Sequence, residues 1–209
     1  MLMLPAGHRR EAEIEVRRSR FIATVARADS EEAARAVVAD VRGAFPDARH
    51  HCSAFIVEVP GAQPVERSSD DGEPAGTAGM PMLETLRGAG LTQVVAVVTR
   101  YFGGVLLGTG GLVRAYSDAV AAALDGAPRV RPVRRPLFRV VLDHADAGRV
   151  QGELLNHDVT IVDASYDARV TLTLAAGAGA DLPTLVAAAT QGAVVAEPAG
   201  ELVDEEPAE

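Results

Sequence analysis

Residues 92–124 read TQVVAVVTRYFGGVLLGTGGLVRAYSDAVAAAL, and the architecture follows from this run. Its first part, residues 92–102, is β-branched and apolar on both faces, as a strand covered from both sides in the middle of a sheet must be. Its last part sets Leu112, Tyr116, Ala119, Val120 and Leu124 at the spacing of one helical stripe. Between the two stand five glycines in nine residues, Gly103, Gly104, Gly108, Gly110 and Gly111. A buried strand, a glycine elbow and an amphipathic helix therefore follow one another.

Upstream, Ala12, Ile14 and Val16 alternate with glutamates, and Phe21, Ala23 and Val25 alternate with Arg20 and Thr24. Two period-two runs separated by residues 17–19 predict an antiparallel hairpin. Asp29 or Ser30 caps a helix carrying Val37, Val38, Val41 and Phe45, which Pro46 stops. Residues 52–59 read as another strand and residues 63–79 as a long polar loop. Pro81 suits the first turn of a helix bearing Met82, Leu83 and Leu86. The order ββαβαβα closes near Gly126.

Residues 128–136, PRVRPVRRP, hold three prolines and four arginines and predict a stiff extended linker. Beyond it the patterning predicts a strand over 138–142, a helix over 146–157, and strands over 160–166 and 170–174. A helix capped by Asp181 and a short strand over 193–196 complete a βαββαβ order, that of ferredoxin-like domains. The expected class is α+β. Its parts are a domain over 1–127, the linker over 128–136, a ferredoxin-like domain over 137–197 and a disordered acidic tail over 198–209.

The chain has 209 residues, 48% of them apolar and 23% charged, with no apolar run of membrane-spanning length. Disorder and a transmembrane helix are excluded. The single cysteine, Cys52, excludes a disulfide framework and fits a reducing compartment. The first residues lack a signal-peptide core, so a cytoplasmic location is expected. A net charge of −9 argues against unspecific binding along a polyanion. That acidity is concentrated from Glu197 onward, and all twenty cations are arginine, which suits bidentate phosphate contacts.

Two segments carry unusual chemistry. Glycines before a helix N-terminus let backbone N–H groups approach an anion, and Arg100 and Arg114 flank that elbow. No phosphate-loop Gly-Lys-Ser/Thr or phased dinucleotide motif is present. The turn SSDDGEP, residues 68–74, brings Asp70, Asp71 and Glu73 together, either as a metal or acid–base cluster or as an exposed turn. Cys52 beside His50 and His51 lies in an apolar strand, which predicts a buried, inert thiol. No catalytic triad is legible.

Together RRSRFIA, HHCSAF, SSDDGEPAGTAGMPML and VVTRYFGGVLLGTGGLVRAYSDA resemble the signature of the IMPACT family in its bacterial, YigZ-type form. The resemblance implies a first domain like domain two of ribosomal protein S-five and a second like a ferredoxin-like domain of elongation factor G. It also implies translation-linked regulation, with no cofactor and no agreed enzymatic activity. The shared motif positions are Asp70, Asp71, Gly72, Glu73, Thr77, Gly79, Arg100, Tyr101, Gly103, Gly104, Gly108, Gly110, Gly111 and Arg114. Similar sequences carry basic residues where this one has Met80 and Leu106, so two cations are missing here.

The leading expectation is a binding protein that contacts RNA, the ribosome or a translation factor. Its groove would join Asp70, Asp71, Glu73 and Thr77 to the elbow, with Arg100 and Arg114 on phosphate and residues 129–139 extending a basic track. One alternative is an enzyme acting on a phosphorylated small molecule with magnesium held by the acidic turn. The other is a module that binds only proteins.

Overall fold

The computed structural model describes residues 1–208, in two compact units. Unit 1 is Met1–Arg131 with the chain end from Glu206, and unit 2 is Pro132–Glu205.

Unit 1 runs β1 (Arg9–Val16), β2 (Ser19–Arg27), α1 (Glu31–Ala44), β3 (His50–Val57), β4 (Val65–Ser69), α2 (Gly79–Gly88), β5 (Val94–Tyr101) and α3 (Thr109–Leu124). The sheet order is β1-β2-β5-β3-β4, and every ladder in it is antiparallel. The unbroken apolarity of β5 has a direct cause. Val94, Ala96 and Val98 enter a core with residues of α2 and α3, while Val95 and Val97 enter a second core with Ala34 and Val41 of α1. Helices thus cover both faces of the central strand. Ser30 caps α1, its side-chain oxygen accepting the Ala33 N–H.

Unit 2 holds most of β6 (Val130–Leu142), then α4 (His144–Leu154), β7 (Val159–Tyr166), β8 (Val170–Ala176), α5 (Leu182–Ala189) and most of β9 (Glu197–Pro207). Its sheet order is β7-β8-β6-β9, the ferredoxin-like arrangement of a βαββαβ chain. Val140, Leu142, Leu172 and Leu174 meet Val150, Leu154, Leu182 and Val186 in its core. The molecule is a two-domain α+β protein.

Three expectations are corrected. The loop expected over residues 63–79 contains β4, whose Val65–Ser69 pairs with Val57–Ser53 of β3. Its sequence, VERSS, is polar because an edge strand leaves much of itself in water. The linker over 128–136 is largely β6, and the acidic tail over 198–209 is largely β9, which replaces the last strand expected over 193–196. One cause accounts for the pair of them. Arg134 meets Glu201 at 3.0 Å, Arg135 meets Asp204 at 3.2 Å and Arg139 meets Glu197 at 2.7 Å. Opposite charges on neighbouring strands offset the low strand propensity of both segments. The basic track expected over 129–139 is accordingly matched, at these positions, by acids of the same chain. Among the described residues no helix is long and apolar enough to cross a membrane.

Candidate functional site

The acidic turn follows β4 and leads into α2. Asp70 accepts hydrogen bonds from the N–H groups of Gly76 (2.7 Å), Ala78 (3.0 Å) and Gly79 (2.8 Å). Ala78 is the N-cap of α2 and Gly79 its first residue, while Gly76 lies in the turn before them, and Ala78 has no side chain able to cap the helix. Asp70 therefore caps the helix from eight residues upstream. Partial burial raises its pKa, but the N–H groups of Gly76, Gly79 and Ala78 together pull it below the usual carboxylate range.

Asp71 sits at φ 42°, in the left-handed region that Gly72 also occupies. One of its oxygens accepts from Arg42 of α1 at 2.6 Å and the other from the His51 N–H at 2.7 Å. Thr77 donates to the Pro74 carbonyl at 2.6 Å and closes the turn.

Glu73 reaches furthest inward. Its Oε1 accepts from the Arg100 guanidinium at 2.6 Å and from the Tyr116 hydroxyl at 2.7 Å. The Glu73 and Arg100 side chains are 4% and 8% exposed. The Arg100 guanidinium carbon lies 5.4 Å from the Phe21 ring centre and 5.6 Å from that of Phe102, a doubly aromatic setting for the charge. Phe21 packs edge-on against Tyr116 at 5.2 Å. The turn thus ties α1, α2, β5 and α3 to one another through three carboxylates.

The Cys52 thiol is enclosed here, its sulfur 3.0 Å from the Asp70 carbonyl oxygen and 3.3 Å from the Tyr116 hydroxyl. Burial pushes its pKa up to about 12. A thiol-reactive dye at neutral pH is expected to leave Cys52 untouched for hours in the folded protein and to label it fully in denaturant. Rapid labelling of the native protein would contradict that enclosure.

His51 is buried, with its ring nitrogen 3.1 Å from the Thr99 hydroxyl. Burial lowers its pKa, Arg42 and His50 add to the lowering, and Asp71 opposes it. Both His51 and Asp70 have folded-state values below their unfolded ones, so the unfolded chain takes up protons first as pH falls. Stability contributed by His51 is lost from about pH 6.5 downward, and that from Asp70 from about pH 3.9 downward. Thermal unfolding of wild type and His51→Asn across pH 3–8 checks this. The first decline should be weaker in the variant, and an unchanged profile would exclude His51 as its source.

At the elbow, Gly103 lies against the β1–β2 hairpin. A Cβ placed on it would fall 2.0 Å from the backbone carbon and oxygen of Arg18, and its N–H donates to the Ser19 hydroxyl at 3.1 Å. Gly104 and Gly108 have φ of 82° and 74°, and Gly108 is the N-cap of α3, with no side-chain cap. Gly110 and Gly111 lie in the first turn of α3. Tyr101, half-buried, carries the Arg20 guanidinium carbon 5.4 Å from its ring centre. Arg114 is exposed on the second turn of α3, while Leu106 and Phe102 are 81% and 53% exposed.

The structure therefore joins the two segments, but at an internal contact. Of the twelve expected site residues, Asp70, Asp71, Glu73, Thr77 and Arg100 are engaged by partners within unit 1. Each of the three carboxylates faces N–H, O–H or guanidinium donors, so the magnesium arrangement does not fit them. Residue-type reasoning missed Arg17 and Arg18. They form the two-residue turn of the β1–β2 hairpin at φ 47° and 66°, and Arg17 donates to the Leu106 carbonyl at 3.4 Å. The available signal was RRS lying between two alternating runs.

Comparison with known proteins adds independent findings. A family model described as the Impact N-terminal domain matches residues 17–124, and a domain of unknown function, DUF1949, matches residues 140–193. IMPACT family member YigZ of Escherichia coli strain K12 is 43% identical over 161 residues, covering 77% of this chain and 79% of that protein. A crystal structure of a hypothetical protein is similar with a TM-score of 0.62 and 38% identity, covering 94% of this chain and 95% of the other. A two-domain translational regulator, Yih1, is 31% identical with a TM-score of 0.39, covering 55% of this chain and 45% of its own.

Proposed function

The chain belongs to the IMPACT family, and on that premise we propose that it is a translation-linked binding protein whose first unit grips RNA by its phosphates. The contact surface is the hairpin tip Arg17–Arg18, the amide-rich elbow Gly103, Gly104, Gly108, Gly110 and Gly111, and Arg114. Arg100 and Tyr101 end β5 just before that elbow, with Arg100 beside the Phe102 ring and Tyr101 beside Arg20.

One observation carries the reading. Two consecutive arginines occupy left-handed backbone where Asn-Gly or Gly-Gly is the ordinary choice. Each such residue costs on the order of 1 kcal/mol or more, and strain of this kind concentrates at functional positions. The strain keeps two guanidinium groups at the tip, against an elbow whose helix N-terminus no side chain caps. Arg17, Arg18 and Arg114 are exposed and have no ion-pair partner among the described residues.

Phosphate-led contact also suits a second sheet whose β8, VTLTLAA, carries no aromatic residue for stacking bases. A triple variant, Arg17→Ala with Arg18→Ala and Arg114→Ala, should flatten the salt dependence of ribosomal RNA binding by about two to three log units per log unit of salt. An unchanged slope would refute phosphate contact at this surface.

A second reading draws on the exposed Phe102 and Leu106. A translation factor docking on that apolar tip would bind with little salt dependence, which the same titration separates from RNA contact.

A further inference from the structure

A groove of about 420 Å³ lies on the face of unit 1 that α1 covers, away from the helices α2 and α3. One wall is α1, which turns Arg35, Val38, Ala39 and Arg42 toward it. These stand at positions i, i+3, i+4 and i+7, a single helical stripe. The other wall is Arg67, Ser68 and Ser69 of β4, and Phe55 of β3 contributes to the lining. The lining contains three guanidinium groups, no carboxylate, and a floor that is chiefly apolar.

β4 is an outermost strand, with β3 as its one neighbour in the sheet order. An edge strand beside a helix-walled groove can accept one more strand, whose alternate side chains enter the groove. We infer that this channel takes an extended acidic peptide from a partner protein, added to the sheet beyond β4. Charge selects the occupant. Arg35 and Arg42 are held in place by Glu31 and Asp71, neither of which lines the groove, and Arg67 is anchored to the Glu66 carbonyl at 3.1 Å. Guanidinium groups fixed in this way present their remaining donors to carboxylates.

A second copy of this chain is disfavoured by the same residue. Arg67 is the middle of the five-residue strand, so antiparallel pairing of two such edges centred there sets arginine against arginine. The surface is distinct from the hairpin tip and elbow, so the two proposals stand or fall separately.

The test is selection of a phage-displayed library of random octapeptides on the full-length protein, followed by anisotropy titration of the best selected peptide. Enriched peptides should carry Asp or Glu at alternate positions between apolar residues. Arg35→Ala with Arg67→Ala should weaken binding at least tenfold while leaving the salt slope for RNA unchanged. Arg67→Glu, an exposed substitution, should shift selection toward Lys- and Arg-bearing peptides. Absence of enrichment, enrichment without acids, or undiminished binding by the double variant would overturn the inference. Displacement of the selected peptide by an eight-nucleotide uridylate RNA or by inorganic phosphate would reassign the groove to phosphate and overturn it equally.

Discussion

Glu73→Gln is expected to destabilise unit 1 by about 3–5 kcal/mol, because it leaves the Arg100 guanidinium buried without its counter-charge. The substitution is nearly isosteric and retains an oxygen for the Tyr116 hydroxyl, so the loss reports mainly on charge. Against a typical total of about 5–15 kcal/mol this is a large fraction, and chemical denaturation reads it as a lower midpoint with an unchanged slope. Removing both charges tests the cause. Glu73→Gln with Arg100→Met should recover most of the loss, since a neutral pair of similar volume in a buried setting is often as stable as the ions it replaces. Additive losses would mean that the two side chains are not coupled.

Gly103→Ala is expected to cost about 3 kcal/mol or more, for a purely steric reason. The added methyl would meet the carbonyl carbon and oxygen of Arg18 at 2.0 Å, and backbone has no rotamer with which to move aside. Either the hairpin tip or the elbow must shift, and the bond from Gly103 N–H to the Ser19 hydroxyl goes with it. Gly110→Ala is the matched control. Nothing lies within 4 Å of a Cβ there, and alanine in a helical turn is favoured over glycine by up to about 1 kcal/mol. Thermal unfolding of the two variants should move in opposite directions. Equal and small effects would show that the close approach at Gly103 is not a constraint.

Much of this architecture is legible in the amino-acid sequence because it follows from burial. β5 is apolar on both faces since helices cover both, and the stripe on α3 marks the side that faces the sheet. The elements that escaped reading are those stabilised by partners distant in the chain. β4 is polar because it is an edge, and β9 is acidic because β6 beside it is rich in arginine. Neither has a local reason to be a strand.

The same division runs through the candidate site. The acidic turn and the glycine elbow are conspicuous in composition, yet nothing in the order of residues says that Glu73 belongs to Arg100, Asp71 to Arg42 and Asp70 to the amides of α2. Those assignments arise only when β4, α2 and β5 are assembled. Arg17 and Arg18 were hidden for a different reason, since arginine is not a residue type that announces a turn with positive φ.

Charge in the acidic turn is paired inside unit 1, and the proposed ligand contacts are the guanidinium groups at the hairpin tip and on α3. One titration separates these roles, ribosomal RNA binding as a function of salt for two variants measured side by side. The clamp-neutral protein, Glu73→Gln with Arg100→Met, should keep the slope of the wild type, while Arg17→Ala with Arg18→Ala and Arg114→Ala should lose about two to three log units from it. A clamp-neutral variant that loses as much slope as the triple variant would place Arg100 on the ligand and contradict the account.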